Sequence, residues 1–281
     1  MRLLLALGAA AALAVASVPS ALGAPEPATV EIPLGEGRLR AVLYRPEGAG
    51  PFPVVIGLHG CGGINNSNSR FPVLTRYRDW AQRLTRAGFA VLYPDSYGSR
   101  GMATQCTVSR RAIRSNRERV GDAYAARNWL QQQSWVAGDR ISLLGWSNGG
   151  ITTLAAVRPN AAVRDGGADF RSAVAFYPGC RELLKSAWSA RVPTLILIGR
   201  ADDQAPAAAC EQMVSGARGR SARVAIRIYP GAHHDFDHPN RPVQVRSGYA
   251  FSVDGSGRVH TGTHPAARAD AVKRVPEWLA R

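Results

Sequence analysis

The chain has 281 residues, 46% of them hydrophobic and 20% charged, with a formal net charge of +15. That length and apolar content provide for one large core, and the composition excludes disordered, collagen-like and coiled-coil chains. Lys185 and Lys273 are the only lysines, so the excess charge is arginine scattered along the whole sequence, which does not make a nucleic-acid-binding face.

The first residues read as an address. Arg2 precedes an apolar stretch over 3–18, then Pro19, Ser20 and the small-residue run Ala21, Leu22, Gly23, Ala24. This is the pattern of a secretory signal peptide over 1–24, with the mature chain starting near Ala24 or Pro25 and the protein secreted or periplasmic. An uncleaved anchor is the competing reading, but the stretch is short for a span. No later apolar run approaches the ~20 residues needed to cross a bilayer, so no stable membrane association is expected after cleavage. Export puts Cys61, Cys106, Cys180 and Cys210, an even set, in an oxidising compartment, and two disulfides are expected.

From Pro27 onward there is no internal repeat or linker, so residues 25–281 read as a single domain. Polar-alternating runs at 29–33 and 38–45 flank Gly35, Glu36 and Gly37, which suits an antiparallel hairpin at a sheet edge. Short continuous apolar runs follow at 53–58, 89–93, 141–144, 173–177, 194–198 and 224–229, the texture of strands buried on both faces. Helical segments lie at 75–87, 116–133, 149–158 and 207–218. A last one, at 265–280, has Val272, Val275 and Leu279 on one face and Pro276 expected to kink or restart it. This alternation predicts an α/β fold: a mostly parallel, doubly wound sheet with an antiparallel N-terminal hairpin and helices on both faces. Arg110, Arg111, Arg114, Arg117 and Arg119 cluster just before and into the second helix and read as its solvated face, with a basic rim as the alternative.

In such sheets reactive groups collect at the carboxyl ends of the strands. The run 141–144 leads into Gly145, Trp146, Ser147, Asn148, Gly149, a G-x-S-x-G turn between strand and helix, where glycines leave room for a nucleophile on a tight bend. A serine needs a base to remove its proton and a carboxylate to hold that base, in the chain order Ser, acid, His. The run 194–198 ends in Gly199, Arg200, Ala201, Asp202, Asp203, and the run 224–229 in Pro230, Gly231, Ala232, His233, His234. Two acids and two bases therefore compete. The backbone N–H of Asn148 and that of Cys61, in the loop His59, Gly60, Cys61, Gly62, Gly63, are the candidate oxyanion donors. This chemistry needs no metal or organic cofactor.

With these pieces in place, the chain from about Pro27 to its C-terminus resembles the dienelactone hydrolase family of α/β-hydrolases. The similar motifs are HGCGG at 59–63, YPDSYGSRG at 93–101, GWSNGG at 145–150, FYPGC at 176–180, GRADDQAP at 199–206 and YPGAHHDF at 229–236. The resemblance implies Asp202 as the acid, three residues after the strand-terminal glycine, and His234 as the base, immediately before the x-Phe pair. It implies a serine hydrolase acting on a small-molecule ester or lactone through an acyl-enzyme. The family's namesake enzymes have a cysteine where Ser147 stands, a glutamate at the position of Gly60 and an arginine at that of His238, so dienelactone itself is not the expected substrate. Arg100 and Trp146 are candidate substrate contacts. In the sheet that the resemblance implies, Cys180 and Cys210 follow neighbouring strands, as do Cys61 and Cys106, which suggests those two disulfide pairings.

Two rival classes remain. The cluster His233, His234, Asp235, Asp237, His238 is dense in metal-ligand types, so a metal-dependent hydrolase or metal-binding protein could use it. A non-catalytic binding protein could occupy the same fold. Oligomeric state leaves no mark in the sequence.

Overall fold

The structure, a computed structural model, describes residues 26–65, 73–159 and 167–281. The expected signal peptide and its cleavage point lie outside the described residues.

The chain opens with β1 (Ala28–Leu34) and β2 (Gly37–Tyr44), paired antiparallel around the turn at Gly35. It then alternates β3 (Phe52–Leu58), α1 (Thr75–Arg86), β4 (Ala90–Pro94), α2 (Glu118–Gln131), β5 (Val136–Trp146), α3 (Asn148–Ala156) and β6 (Ala173–Phe176). The remainder is α4 (Arg181–Lys185), β7 (Thr194–Gly199), α5 (Ala207–Gly216), β8 (Val224–Tyr229), the short hairpin β9 (Gln244–Arg246) and β10 (Val259–Thr261), and α6 (Pro265–Leu279).

Eight strands form one sheet in the order β1-β2-β4-β3-β5-β6-β7-β8. Only β1 and β2 run against their neighbours; β4, β3, β5, β6, β7 and β8 are mutually parallel. The reason lies in the residues: β4, β6 and β7 are buried along their whole length, as continuous apolar runs require, whereas β1 alternates and sits at the edge. β5 extends five residues upstream of its apolar run, because Val136 pairs with Phe52 on β3.

Strand order reverses at β3: the chain steps outward to β4, returns to β5 on the other side of β3, and then grows away. Ligand crevices form outside the carboxyl ends of strands at such a switch. Here Leu58 at the end of β3 is in register with Gly145 near the end of β5, so the loops after these two strands are neighbours.

Three elements escape the sequence reading: α4, β9 and β10 are too short for periodicity to show. Pro276 does not end α6, which continues to Leu279, and the Ala280 N–H closes on the Pro276 carbonyl. Buried Ala267, Ala271, Val275, Trp278 and Leu279 hold that helix on the core and outweigh the one backbone donor that proline lacks.

Candidate active site

The turn between β5 and α3 carries Ser147 with φ 53° and ψ −114°, outside the regions that non-glycine residues normally occupy. Such a backbone costs on the order of 1–3 kcal/mol and persists only where its surroundings impose it. They do. A Cβ on Gly149 would collide with the Leu58 carbonyl, and one on Gly145 with the Gly149 carbonyl and the Thr153 hydroxyl. The turn is held from outside by the Ser147 N–H donating to the Phe176 carbonyl at 2.9 Å.

Of the competing acids and bases, Asp202 and His234 meet: the His234 Nδ1 to Asp202 Oδ2 distance is 2.7 Å and both side chains are buried. The other Asp202 oxygen accepts the Gln204 and Ala205 amides at 2.9 and 2.8 Å, which fixes the carboxylate. Asp203 turns away to His260 Nδ1, 2.7 Å, and His233 Nδ1 donates to the Ala201 carbonyl at 2.8 Å. Burial pulls the His234 pKa down, but the Asp202 charge and hydrogen bond, with Asp235 behind them, outweigh it and leave the value raised above 6.5. Ser147 and His234 line one cavity, and with His234 Nδ1 engaged by Asp202 the other ring nitrogen, Nε2, is not held by that pair.

The N–H groups of Cys61 and Asn148 stand on the adjacent loops after β3 and β5, and among the described residues neither has a hydrogen-bond acceptor. What fastens these loops together is Arg119, fully buried on α2. Its guanidinium donates to the His59 carbonyl at 2.8 Å and to Asn148 Oδ1 at 2.6 Å, and Tyr97 Oη reaches the same Asn148 oxygen at 3.0 Å. His59 is neutral: burial and then Arg119 lower its pKa far below 6.5, its Nδ1 donates to the Gly60 carbonyl, and its Nε2 accepts the Ser96 amide.

A second buried hub lies behind the base. Asp237 accepts from Trp80 Nε1 at 2.7 Å, Trp146 Nε1 at 2.9 Å and Tyr177 Oη at 2.6 Å. Trp146 directly precedes Ser147, and the Tyr177 ring packs on His234 with centroids 4.4 Å apart, so one carboxylate braces the turn at Ser147 and the His234 ring together. Arg76 bonds Tyr177 Oη at 2.6 Å and is paired with Asp235, which Arg241 also contacts at 3.0 Å. Sequence reasoning missed Tyr177 and Arg76 and misread two others: Arg119, expected on a solvated helix face, and Asp237, expected among metal ligands, are both fully buried, and a charge destined for burial carries no local mark in the chain.

His233, His234, Asp235, Asp237 and His238 do not converge as one ligand set: His234 is engaged by Asp202, Asp235 by Arg76 and Arg241, Asp237 by Trp80, Trp146 and Tyr177, and His238, its Nδ1 on the Pro239 carbonyl, is pushed down to about 4 by burial and by Arg241 and Arg76.

The cavity holding Ser147 and His234 has a volume of about 1000 Å³. Among the described residues, Arg110, Arg111, Arg114, Arg158 and Arg181 line it with one carboxylate, Glu182. This corrects the reading of the arginine cluster as a helix face: α2 begins only at Glu118, so Arg110, Arg111 and Arg114 lie on the preceding loop and form cavity wall. Arg100 and Trp146, expected as substrate contacts, are not among the described residues lining this cavity. Arg100 is committed to Asp122 at 2.7 Å, and Trp146 is fully buried on Asp237. Both expected disulfides are present, Cys61–Cys106 and Cys180–Cys210. The first ties the loop after β3 to the arginine-bearing loop. The second ties α4 to α5, which opens just after the Asp202 turn.

A profile of the dienelactone hydrolase family matches residues 39–281. A protein of Methylorubrum extorquens provisionally described as a carboxymethylenebutenolidase is 25% identical over 223 residues, spanning 76% of this chain and 73% of its own. Among solved structures, a dienelactone hydrolase-like promiscuous phosphotriesterase from metagenomic libraries superposes with a TM-score of 0.70 at 19% identity, covering 92% of this chain and 98% of its own. A dienelactone hydrolase from Anabaena variabilis gives 0.61 at 18% identity, again over 92% and 98%. These structural likenesses concern the fold.

Proposed function

The chain belongs to the dienelactone hydrolase family, and on that premise we propose that it is a serine hydrolase of carboxylic esters or lactones working through a Ser147–His234–Asp202 triad. His234 Nε2 takes the Ser147 hydroxyl proton as Oγ bonds the substrate carbonyl carbon. The carbonyl electron pair moves onto oxygen, and the resulting oxyanion is held by the Cys61 and Asn148 amides. Collapse breaks the ester C–O bond, and the leaving alkoxide receives the proton from His234. Water, deprotonated by the same imidazole, then cleaves the acyl-enzyme and frees Ser147. Asp202 keeps His234 in one tautomer and stabilises its cation.

The observation that carries this reading is the 2.7 Å Asp202–His234 pair opening onto the same cavity as a serine on a strained turn. Four arginines, Arg110, Arg111, Arg158 and Arg181, beside Glu182, with Arg114 already paired to Glu118, favour a substrate carrying negative charge. We further take residues 1–24 as a cleaved export signal and 25–281 as one domain, secreted or periplasmic; two disulfides support an oxidising destination.

The test is a fluorophosphonate probe with peptide mapping, run beside a panel of aryl esters and lactones. Labelling of Ser147, with turnover lost in Ser147→Ala and insensitive to chelators, is the expected result. An unlabelled Ser147 in folded protein, or a Ser147→Ala variant with wild-type kcat, overturns the triad.

A further inference from the structure

The acid and base that the triad leaves aside come together with a third residue. Asp203 follows β7, His233 follows β8, and His260 lies in β10. One ligand atom from each of the three lies within 4.8 Å of the others. We propose that Asp203, His233 and His260 form a binding site for a divalent transition-metal ion of the zinc class, separate from the catalytic serine.

Four features carry it. First, the His233 Nδ1–carbonyl contact at 2.8 Å places the proton on Nδ1, because a carbonyl only accepts, and so leaves the Nε2 lone pair free. A backbone carbonyl behind the non-ligating nitrogen is how metal-binding imidazoles are commonly oriented. Second, the Asp203 carboxylate is held in place through both oxygens, by the His260 amide at 2.9 Å and His260 Nδ1 at 2.7 Å. Third, the two imidazoles are immediate neighbours, ring centroids 5.1 Å apart, so both are within reach of one ion. Fourth, ligands about 2.0–2.1 Å from a tetrahedral ion sit roughly 3.3 Å apart, between the present 2.7 Å contact and the 4.8 Å span. Closing around an ion takes rotation of the stacked rings until their in-plane lone pairs converge, with the ion displacing the proton now shared between His260 Nδ1 and Asp203, and the His260 and Asp203 side chains, 45% and 36% exposed, have room to turn.

Two imidazoles and one carboxylate suit zinc, nickel or copper and not magnesium or calcium, which prefer all-oxygen sites. Three protein ligands leave a fourth position for water. The ion would clasp three segments: the Asp202 turn, the His234 turn and the β9–β10 arm, whose Val253 amide already donates to the Asp203 carbonyl at 2.7 Å. That arm brings Phe251 and Ser252 to the cavity wall.

The experiment is calorimetric titration of untagged, chelator-stripped protein with zinc chloride, with thermal unfolding in parallel. Wild type should take up one equivalent with a dissociation constant in the micromolar range. At a free zinc level 100-fold above that constant its Tm should rise by roughly 5 °C. Asp203→Asn and His260→Gln should each weaken binding at least tenfold and abolish the Tm rise. Unchanged far-UV circular dichroism would show that both variants are folded. Magnesium chloride should give no saturable heat. No saturation below about 1 mM zinc in wild type, or wild-type affinity in both variants, overturns the site. So does loss of binding in His238→Gln alone, which would put the ion elsewhere. None of these readouts involves hydrolysis, so the result stands or falls independently of the triad.

Discussion

Replacing Arg119 by methionine tests whether the oxyanion donors are positioned from beneath. The guanidinium makes two short charge-assisted bonds, 2.8 Å to the His59 carbonyl and 2.6 Å to Asn148 Oδ1. At about 1.5–3 kcal/mol each, their gross worth is roughly 3–6 kcal/mol. Burying the cation opposes this, as the lowered Arg119 pKa shows. The change also leaves the His59 carbonyl without that donor, whereas Asn148 Oδ1 keeps Tyr97. A net stability loss of about 2–4 kcal/mol follows, measured by urea unfolding. The catalytic effect is separable. Loss of a whole oxyanion donor costs ~3 kcal/mol, and loosening the Asn148 amide and the 59–61 loop should forfeit about 1–2 kcal/mol of that, a 5- to 30-fold fall in kcat. KM should stay within about twofold, because the hole grips the transition state more than the ground state. Steady-state kinetics on a p-nitrophenyl ester, at a temperature where the variant is fully folded, separates the two. Arg119→Lys, which keeps the charge but not the fork, should fall between. A folded Arg119→Met with wild-type kcat, or with its whole defect in KM, would refute the positioning role.

Asp202→Asn should lower kcat roughly 10⁴-fold, since the amide can hold the wrong tautomer of His234. The same variant tests the pH dependence: catalysis needs neutral His234, so in wild type kcat/KM rises as pH passes upward through a pKa above 6.5, and without the Asp202 charge, burial alone should move that limb to lower pH. A limb that stays in place would show that Asp202 does not set it. Gly149→Ala drives a methyl into the Leu58 carbonyl and should cost about 2–4 kcal/mol and most activity, whereas Gly121→Ala on α2, where an added methyl meets nothing, should stabilise by about 0.5–1 kcal/mol; equal effects on the two melting temperatures would contradict the close packing of the elbow. Cys106→Ser opens a bridge with a sequence separation of 45 residues and should cost ~2–4 kcal/mol, a Tm drop on the order of 10 °C, with the chemistry retained in folded protein. Activity lost without a lower Tm would mean the bridge serves the site and not the fold.

What the sequence determined by itself were the features written locally. Continuous apolar runs located the six parallel strands, β3 to β8, although β8 proves to be a partly exposed edge strand. Glycines spaced around Ser147 marked the elbow, because a bend that tight admits no Cβ at its flanks and the requirement is met by residues two positions apart. The existence of an acid and a base at the ends of β7 and β8 was equally plain. Which of two neighbours serves was not, since adjacent loop residues point in different directions and spacing alone is silent; only the family resemblance favoured Asp202 and His234, and the fold directs them to each other while Asp203 and His233 face His260. The sequence was misleading on Arg119, read as solvated, on Asp237, read as a metal ligand, and on the arginines of 110–114. A buried charge and a solvated one are the same letter until distant segments close over it, and whether an arginine walls a cavity or faces solvent depends on where its loop lies against α3, α4 and the β9–β10 arm.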